Sequence, residues 1–143
     1  MAVFGTVPAQ KQAYALLRLA IGADMFLHGA TRIGAGVGNF ATKMVSDFQG
    51  TVLPPDLVHA FGLTLPFVEG LIGLLLIVGW FTRSALVAGS FLMVALIFGT
   101  ALRSDWNTVA IQLIYTVIYY LLLSRIGDNA YALDASSSLD RNM

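Results

Sequence analysis

The sequence predicts an all-α integral membrane protein that folds as a four-helix transmembrane bundle. Three observations predict this class: hydrophobic residues fill 57% of the 143 positions, charged residues fill only 11%, and four apolar segments have the length of a membrane span. Soluble domains average about 25% charged residues, so this chain has too few to cover a water-exposed surface. Lipid is therefore its expected solvent.

Each apolar segment is close to the roughly 20 residues that a helix needs to cross about 30 Å of hydrocarbon. A backbone in lipid must satisfy its own hydrogen bonds, so a helix is expected in every segment. The segments cover about 12–31, 58–81, 84–102 and 108–123, within a single domain over residues 1–143. The polar, serine-rich tail from about 135 to 143 is expected to be loose.

The connections between the segments differ in length. Residues 82–84 and 103–107 form short turns, so the second, third and fourth helices should pack as antiparallel neighbours. The first connection is long, and it carries Phe40, Met44 and Phe48 at intervals of four residues. This spacing places three apolar side chains on one side of a helix. It predicts a short interfacial helix on the membrane surface.

The distribution of basic residues predicts the orientation. An even number of spans places both termini on one side of the membrane. Four basic residues lie on the terminal side and three on the other: Lys11, Arg83, Arg125 and Arg141 against Arg32, Lys43 and Arg103. The positive-inside rule then favours cytoplasmic termini. We expect a multi-pass protein of the inner (plasma) membrane of a bacterium or archaeon.

Charge and cysteine content exclude several function classes. The formal net charge is zero and no basic block occurs, so nucleic acid is not an expected partner. The chain has no cysteine, which excludes disulfides, thiol redox chemistry, cysteine-bound iron–sulfur clusters and C-x-x-C-H haem attachment. No metal site and no intrinsic cofactor are predicted.

The candidate site consists of polar side chains within the apolar segments, because burying such groups in a bilayer is costly and usually functional. Four ionisable residues of the first helix fall within roughly 120° of its circumference at 100° per residue. The second helix adds a glutamate, and the fourth adds two polar residues on one edge. The candidate ligand-binding or proton-handling residues are Arg18, Asp24, His28, Arg32, Glu69, Gln112 and Tyr115.

Arg18 and Glu69 are expected to form a pair because they should lie at the same depth in the membrane. If His28 and His59 lie at the same depth in antiparallel helices, Arg18 and Glu69 each lie ten residues further in. An ion pair would offset much of the cost of burying either charge. A purely structural tie and a role in ligand or proton handling both remain open. The candidate site residues are expected to border a pocket in the half of the bundle nearest the first loop.

Several short motifs, in their order and spacing, resemble the DoxX-like membrane proteins from about Lys11 to Asp134. The motifs are Leu17-Arg18-Leu19 with Gly22, Phe26-Leu27-His28-Gly29 with Arg32, Glu69-Gly70, Gly73-Leu74-Leu75-Leu76 with Gly79, Thr82-Arg83, and Leu133-Asp134. The positions typical of that family are Arg18, His28, Gly29, Glu69, Gly79 and Arg83. Asp24 is not part of the family pattern, and Arg32 stands where lysine is commoner.

The resemblance implies four transmembrane helices and membrane redox chemistry, since that family includes a subunit of thiosulfate:quinone oxidoreductase. One hypothesis is therefore a quinone-linked redox subunit, with quinone as substrate in a polar pocket near helices one and two. It would need a partner that carries electrons. The alternative is an accessory or assembly subunit without chemistry. The expected partners are the lipid bilayer and either other subunits of a membrane complex or further copies of the chain.

Overall fold

The computed structural model describes residues 8–135, and all regular structure in this range is helical. The all-α prediction is thus confirmed for the described part of the chain. Of the predicted tail, only Ala135 lies within the described residues. The elements are α1 (Ala9–Gly34), α2 (Val37–Asp47), α3 (Pro55–Val78), α4 (Thr82–Leu102), α5 (Trp106–Ser124) and a 3-10 turn (Ile126–Asp128).

Three of these helices, α3, α4 and α5, are long and apolar enough to cross a membrane. The 26-residue α1 is longer than any of them, but it carries the ionisable residues that make it less apolar. Four spans therefore remain a prediction, whereas three candidate spans are found among the described residues. The buried core holds mainly aliphatic side chains from α1, α3 and α4, with Tyr119 and Leu122 of α5.

Helices α1 and α3 pack closely because glycines face each other across their contact. Gly22 lies against Ile77, where an added Cβ would be 3.0 Å from the Ile77 backbone nitrogen. Gly29 lies against Gly70, and Gly73 lies against the backbone of Phe26. These contacts set the register of the two antiparallel helices, and the register decides which polar side chains can meet.

The short helix α2 lies in the first connection, where the periodicity predicts a helix. It packs against the first half of α3, because Gly62 leaves space for the fully buried Ala41. Phe40 and Met44 extend from α2 onto the hydrophobic core. Phe48 caps the helix and lies against Gly99 of α4. Helix α2 thus covers one end of the bundle.

The α3–α4 turn differs from the expected boundary. The apolar pattern continues to Phe81, yet α3 ends at Val78 because Gly79 takes a left-handed conformation with φ of 70°. The Asp134 carboxylate then accepts hydrogen bonds from the backbone N–H groups of Phe81 (2.9 Å) and Thr82 (2.7 Å). The segment after α5 therefore folds back and caps the start of α4.

Asp105 caps α5. Its carboxylate accepts hydrogen bonds from the Thr108 backbone N–H at 3.2 Å and from the Thr108 hydroxyl at 2.7 Å. These bonds favour the charged carboxylate and lower the pKa of Asp105 below its ordinary value. Tyr119 of α5 packs directly on Gly89 of α4. The two helices therefore form the close hairpin that the short turn predicts.

Candidate functional site

Five of the seven predicted site residues lie near one another in the middle of the bundle. We call this group the central polar cluster; its members are Asp24, His28, Arg32, Glu69 and Tyr115. Gln112 lies one turn before Tyr115 on α5 and faces a neighbouring cavity. Arg18 lies apart, at the other end of the bundle. The structure thus joins side chains from α1, α3 and α5.

An ion pair between Arg32 and Glu69 forms the buried part of the central polar cluster. The Glu69 side chain is only 4% exposed and that of Arg32 27%. Helix side chains lean toward the N-terminus, so Arg32, in the last turn of α1, reaches back to the middle of α3. The Arg32 guanidinium also lies 4.7 Å from the centre of the Phe40 ring. It therefore connects α1, α2 and α3.

Asp24 and His28 form the outer part of the cluster. The Tyr115 hydroxyl donates a hydrogen bond of 2.6 Å to the Asp24 carboxylate. The His28 Nδ1 atom lies 2.9 Å from the Asp24 carbonyl oxygen and 3.3 Å from its carboxylate. The side chains of Asp24 and His28 are 42% and 44% exposed. The carboxylate is thus held between α1 and α5 while remaining accessible from outside the bundle.

The expected Arg18–Glu69 ion pair is wrong. It rested on placing His28 and His59 at the same depth, whereas the helix register brings Gly29 opposite Gly70. The position on α3 opposite any residue of α1 was therefore displaced by about twelve residues. Arg18 instead lies beside the end of α3, and Glu69 receives the charge of Arg32.

Arg18 acts as a structural tie in the described chain. It is fully buried and donates to the backbone carbonyl oxygens of Leu76 at 2.6 Å and Tyr131 at 2.8 Å. These bonds connect α1, the end of α3 and the segment after α5. The last-turn carbonyl of α3 and the loop carbonyl of Tyr131 supply acceptors without a second formal charge. Of the two interpretations of Arg18, the contacts match the structural one.

A cavity of about 490 Å³ lies between α2 and the adjoining ends of α3, α4 and α5. We call it the α2 cavity. Its walls are mainly aliphatic and aromatic, among them Phe40, Met44, Phe61, Leu65 and Leu96. Its polar lining residues are Arg32, Lys43, Asp47, Thr100, Arg103, Thr108 and Gln112. The cavity lies in the half of the bundle nearest the first loop, and its size is typical of small-molecule sites.

Gln112 and Thr100 form a polar pair in this cavity. The Gln112 Nε2 group donates to the Thr100 hydroxyl oxygen at 3.0 Å. The Gln112 Oε1 atom is buried and has no hydrogen-bond partner among the described residues. A buried acceptor without a donor is costly, and this atom is enclosed by the protein, so the Thr100 hydroxyl is the member of the pair to consider for contact with a bound molecule.

Thr100 and Arg103 were not among the predicted site residues. Thr100 is uncharged, and the third predicted helix has no ionisable residue before Arg103, so ionisable groups in the apolar segments do not indicate a site there. The signal was present in the short turn, since an antiparallel hairpin brings Thr100 beside Gln112, twelve residues later. Arg103 appeared to be only a turn residue, but its guanidinium lies 5.2 Å from the centre of the Phe48 ring.

The comparison with protein families corrects the expected relationship. The family model described as methylamine utilisation protein MauE matches residues 10–110, well over half of the chain. No curated protein and no solved structure matches the sequence. The DoxX-like assignment is therefore wrong: its motifs are short and apolar, and small helical membrane proteins of other families can share them. The chain is an integral membrane protein and belongs to the MauE family.

Proposed function

We propose that this protein is an accessory membrane protein of a redox pathway that binds a membrane quinone in the α2 cavity. The observation that carries the proposal is the Gln112–Thr100 pair within apolar walls. A quinone has an apolar tail and ring, with two oxygens that accept hydrogen bonds when oxidised and donate them when reduced. The α2 cavity offers matching surfaces for both parts.

The pair supplies one donor and one acceptor. The Thr100 hydroxyl oxygen accepts from Gln112, so its own proton is available to a quinone carbonyl oxygen. The same hydroxyl oxygen has a second lone pair, which can accept from a quinol hydroxyl. Arg32 lines the same cavity and holds further N–H donors. Both redox forms of the ligand thus find a partner.

An accessory role agrees with the residues that the chain offers for electron transfer. The sequence has no cysteine. Its two histidines cannot share a haem, because His28 lies near Gly70 and His59 is exposed about eleven residues away on α3, a distance of about 16 Å at 1.5 Å per residue. The matching family is described by methylamine utilisation. We therefore assign electron transfer to a partner and quinone binding to this chain.

A fluorescence titration tests the proposal. Trp106 lies two residues before the cavity residue Thr108, whereas Trp80 lies at the opposite end of the bundle. In quinone-free nanodiscs, a short-chain ubiquinone analogue should quench the Trp80→Phe protein saturably, through Trp106. The Trp106→Phe protein should show only weak, unsaturable quenching. Equal quenching of both proteins would contradict binding in the α2 cavity.

The same titration, applied to substituted proteins, tests which residue binds the quinone. Gln112→Leu removes the bond that orients the Thr100 hydroxyl, so it should weaken quinone binding about tenfold or more, as expected for about 1.4 kcal/mol or more of lost binding free energy. Gln12→Leu makes the same change at an exposed position of α1, outside the cavity, and should leave the affinity unchanged. Equal affinities of the two variants would overturn the proposed role of Gln112.

The proposed arrangement in the membrane has four spans and cytoplasmic termini, in the inner membrane of a bacterium or archaeon. Helix α1 runs beside α3 from Gly22 to Gly29, so a bilayer around α3 also surrounds this part of α1. Reporter fusions at the two termini test the arrangement. Both should give the cytoplasmic signal, and reporters on opposite sides would contradict four spans.

A second candidate function is a non-catalytic assembly subunit that binds no small molecule. It is favoured by the exposed side chains of Asp24 and His28, which suit a protein contact within the membrane. The quinone titration separates the two candidates, because an assembly subunit predicts no saturable quenching at Trp106.

A further inference from the structure

Two polar side chains of α1 face outward at the middle of the bundle. Asp24 and His28 are each more than 40% exposed, although α1 packs along α3. Their depth follows from Tyr115, the tenth of the 19 residues of α5, because its hydroxyl donates to the Asp24 carboxylate. Helix α5 is a candidate span. The exposed carboxylate therefore lies within the part of the bundle that the candidate spans α3 and α5 cover.

The charge of Asp24 has no permanently cationic partner among the described side chains. Arg32 is paired with Glu69, and Arg18 donates to carbonyl oxygens at the other end of the bundle. Asp24 has only the Tyr115 hydroxyl and the His28 imidazole as side-chain neighbours within bonding distance. A carboxylate facing hydrocarbon is expensive unless it is paired. A permanently charged cation for Asp24 would therefore have to come from outside the described side chains.

The surface around the carboxylate suits a helix. Residues three, four and seven positions apart on α1 share one side, and Ile111 lies one turn before Tyr115 on the adjoining side of α5. Together they form what we call the α1–α5 face: Ala20, Asp24, Leu27, His28 and Thr31 of α1 and Ile111 of α5, all exposed or partly exposed. Ala20 permits close approach of another backbone, and Leu27 and Ile111 offer apolar contact.

We propose that the α1–α5 face binds a transmembrane helix of another protein that carries a lysine or arginine near its middle. Charge complementarity selects this occupant, because a cation opposite Asp24 pairs the exposed carboxylate. A second copy of this chain does not supply it, since Arg18 and Arg32 are already bound within their own bundle. The proposal does not depend on quinone binding, because neither Asp24 nor His28 lines the α2 cavity.

Designed peptides test the proposal. The probe is a leucine–alanine transmembrane peptide with one central lysine, compared with the same peptide carrying leucine or glutamate there. Association with the fluorescently labelled full-length protein is measured by energy transfer in phosphatidylcholine vesicles. The lysine peptide should associate saturably and at least tenfold more tightly than the leucine peptide, and the glutamate peptide should be weakest. Equal association of the lysine and leucine peptides would overturn the proposal.

Variants locate the contact. Asp24→Asn should remove the preference for the lysine peptide, and Asp24→Glu should retain most of it. Asp56→Asn changes an exposed carboxylate in the first turn of α3, away from this face, and should leave the preference intact. A preference that survives in Asp24→Asn would overturn the assignment. Energy transfer between two labelled copies of the protein would also overturn the assignment if the lysine peptide did not reduce it. A second copy of the chain would then occupy the face.

Discussion

The Arg32 guanidinium at the end of α1 is paired with the Glu69 carboxylate in the middle of α3. This pair lies between the α2 cavity, which Arg32 lines, and the outward-facing Asp24 and His28. It also brings the charge of Arg32 over the Phe40 ring of α2. The position of one guanidinium thus links the fold of α2 to the buried charge of α3.

Removing Arg32 should destabilise the protein strongly. Glu69 is nearly fully buried, so Arg32→Gln leaves a buried charge without its partner, which typically costs about 3–5 kcal/mol. The double variant Arg32→Gln, Glu69→Gln should be milder. Unfolding in mixed detergent measures both. Lys43→Gln, which breaks the exposed pair with Asp47, should change stability by less than about 1 kcal/mol. Additive single effects in the double-mutant cycle would show that the pair does not couple.

Arg18→Met should release the segment that follows α5. The substitution keeps an unbranched side chain but removes the bonds to the carbonyl oxygens of Leu76 and Tyr131. Hydrogen exchange of peptides from residues 126–135 should accelerate by tenfold or more, while α4 and α5 change less. Lys43→Met, a cation-to-methionine change on α2, away from this segment, is the matched control. Unchanged protection in the Arg18 variant would contradict the role of Arg18 as a tie.

Alanine substitutions should have opposite effects on stability at glycines in the α1–α3 contact and at glycines with free space around them. Gly29→Ala places a methyl group against the backbone of Pro66 and Gly70, so it should destabilise by about 1–3 kcal/mol or more. Gly38→Ala lies inside α2 with nothing within 4 Å, and it should stabilise by about 0.5–1 kcal/mol through helix propensity. Thermal unfolding in detergent measures the change in stability of each variant. Tolerance of alanine at Gly29 would mean that the helices are further apart than described.

The Asp105 cap should contribute stability only while its carboxylate is charged. The hydrogen bonds from Thr108 lower the pKa of Asp105 in the folded state, so the contribution is complete above the unfolded value of about 3.9 and is lost as pH falls through the folded pKa. Asp105→Ala should therefore lower the melting temperature at pH 7 but not at the lowest pH the protein tolerates. Thr108→Val, which keeps the backbone N–H, should show a smaller effect. If Asp105→Ala lowered the melting temperature equally at every pH, the stabilisation by Asp105 would not depend on its charge.

The helical class could be predicted because composition and segment length are properties of the chain itself. The positions of the polar side chains on α1 were also accessible, since Asp24, His28 and Arg32 follow from helical periodicity. Helix ends were less accessible. Gly79 ends α3 before the apolar pattern ends, and Asp134 caps α4 from 52 positions further along the chain. A bond over that distance leaves no local signal.

The pairing of charges depended on helix register, which periodicity does not give. Aligning the histidines placed Arg18 opposite Glu69, whereas the contact of Gly29 with Gly70 gives the observed alignment. Small residues were the better guide, because close helix packing requires them where the backbones meet. The α2 cavity could not be predicted at all, since it exists only after α2 has packed over the ends of three helices.

Quinone bound in the α2 cavity is the central claim, and quantifying the quinone that co-purifies with the protein tests it most directly. Gly99 lines the cavity beside Phe48, so Gly99→Leu places a large side chain in the space that the ligand needs. Protein purified from a quinone-containing membrane in mild detergent should hold close to one quinone per chain. The Gly99→Leu protein should hold at least tenfold less while remaining folded. An equal quinone content in the two proteins, or none in either, would contradict the claim.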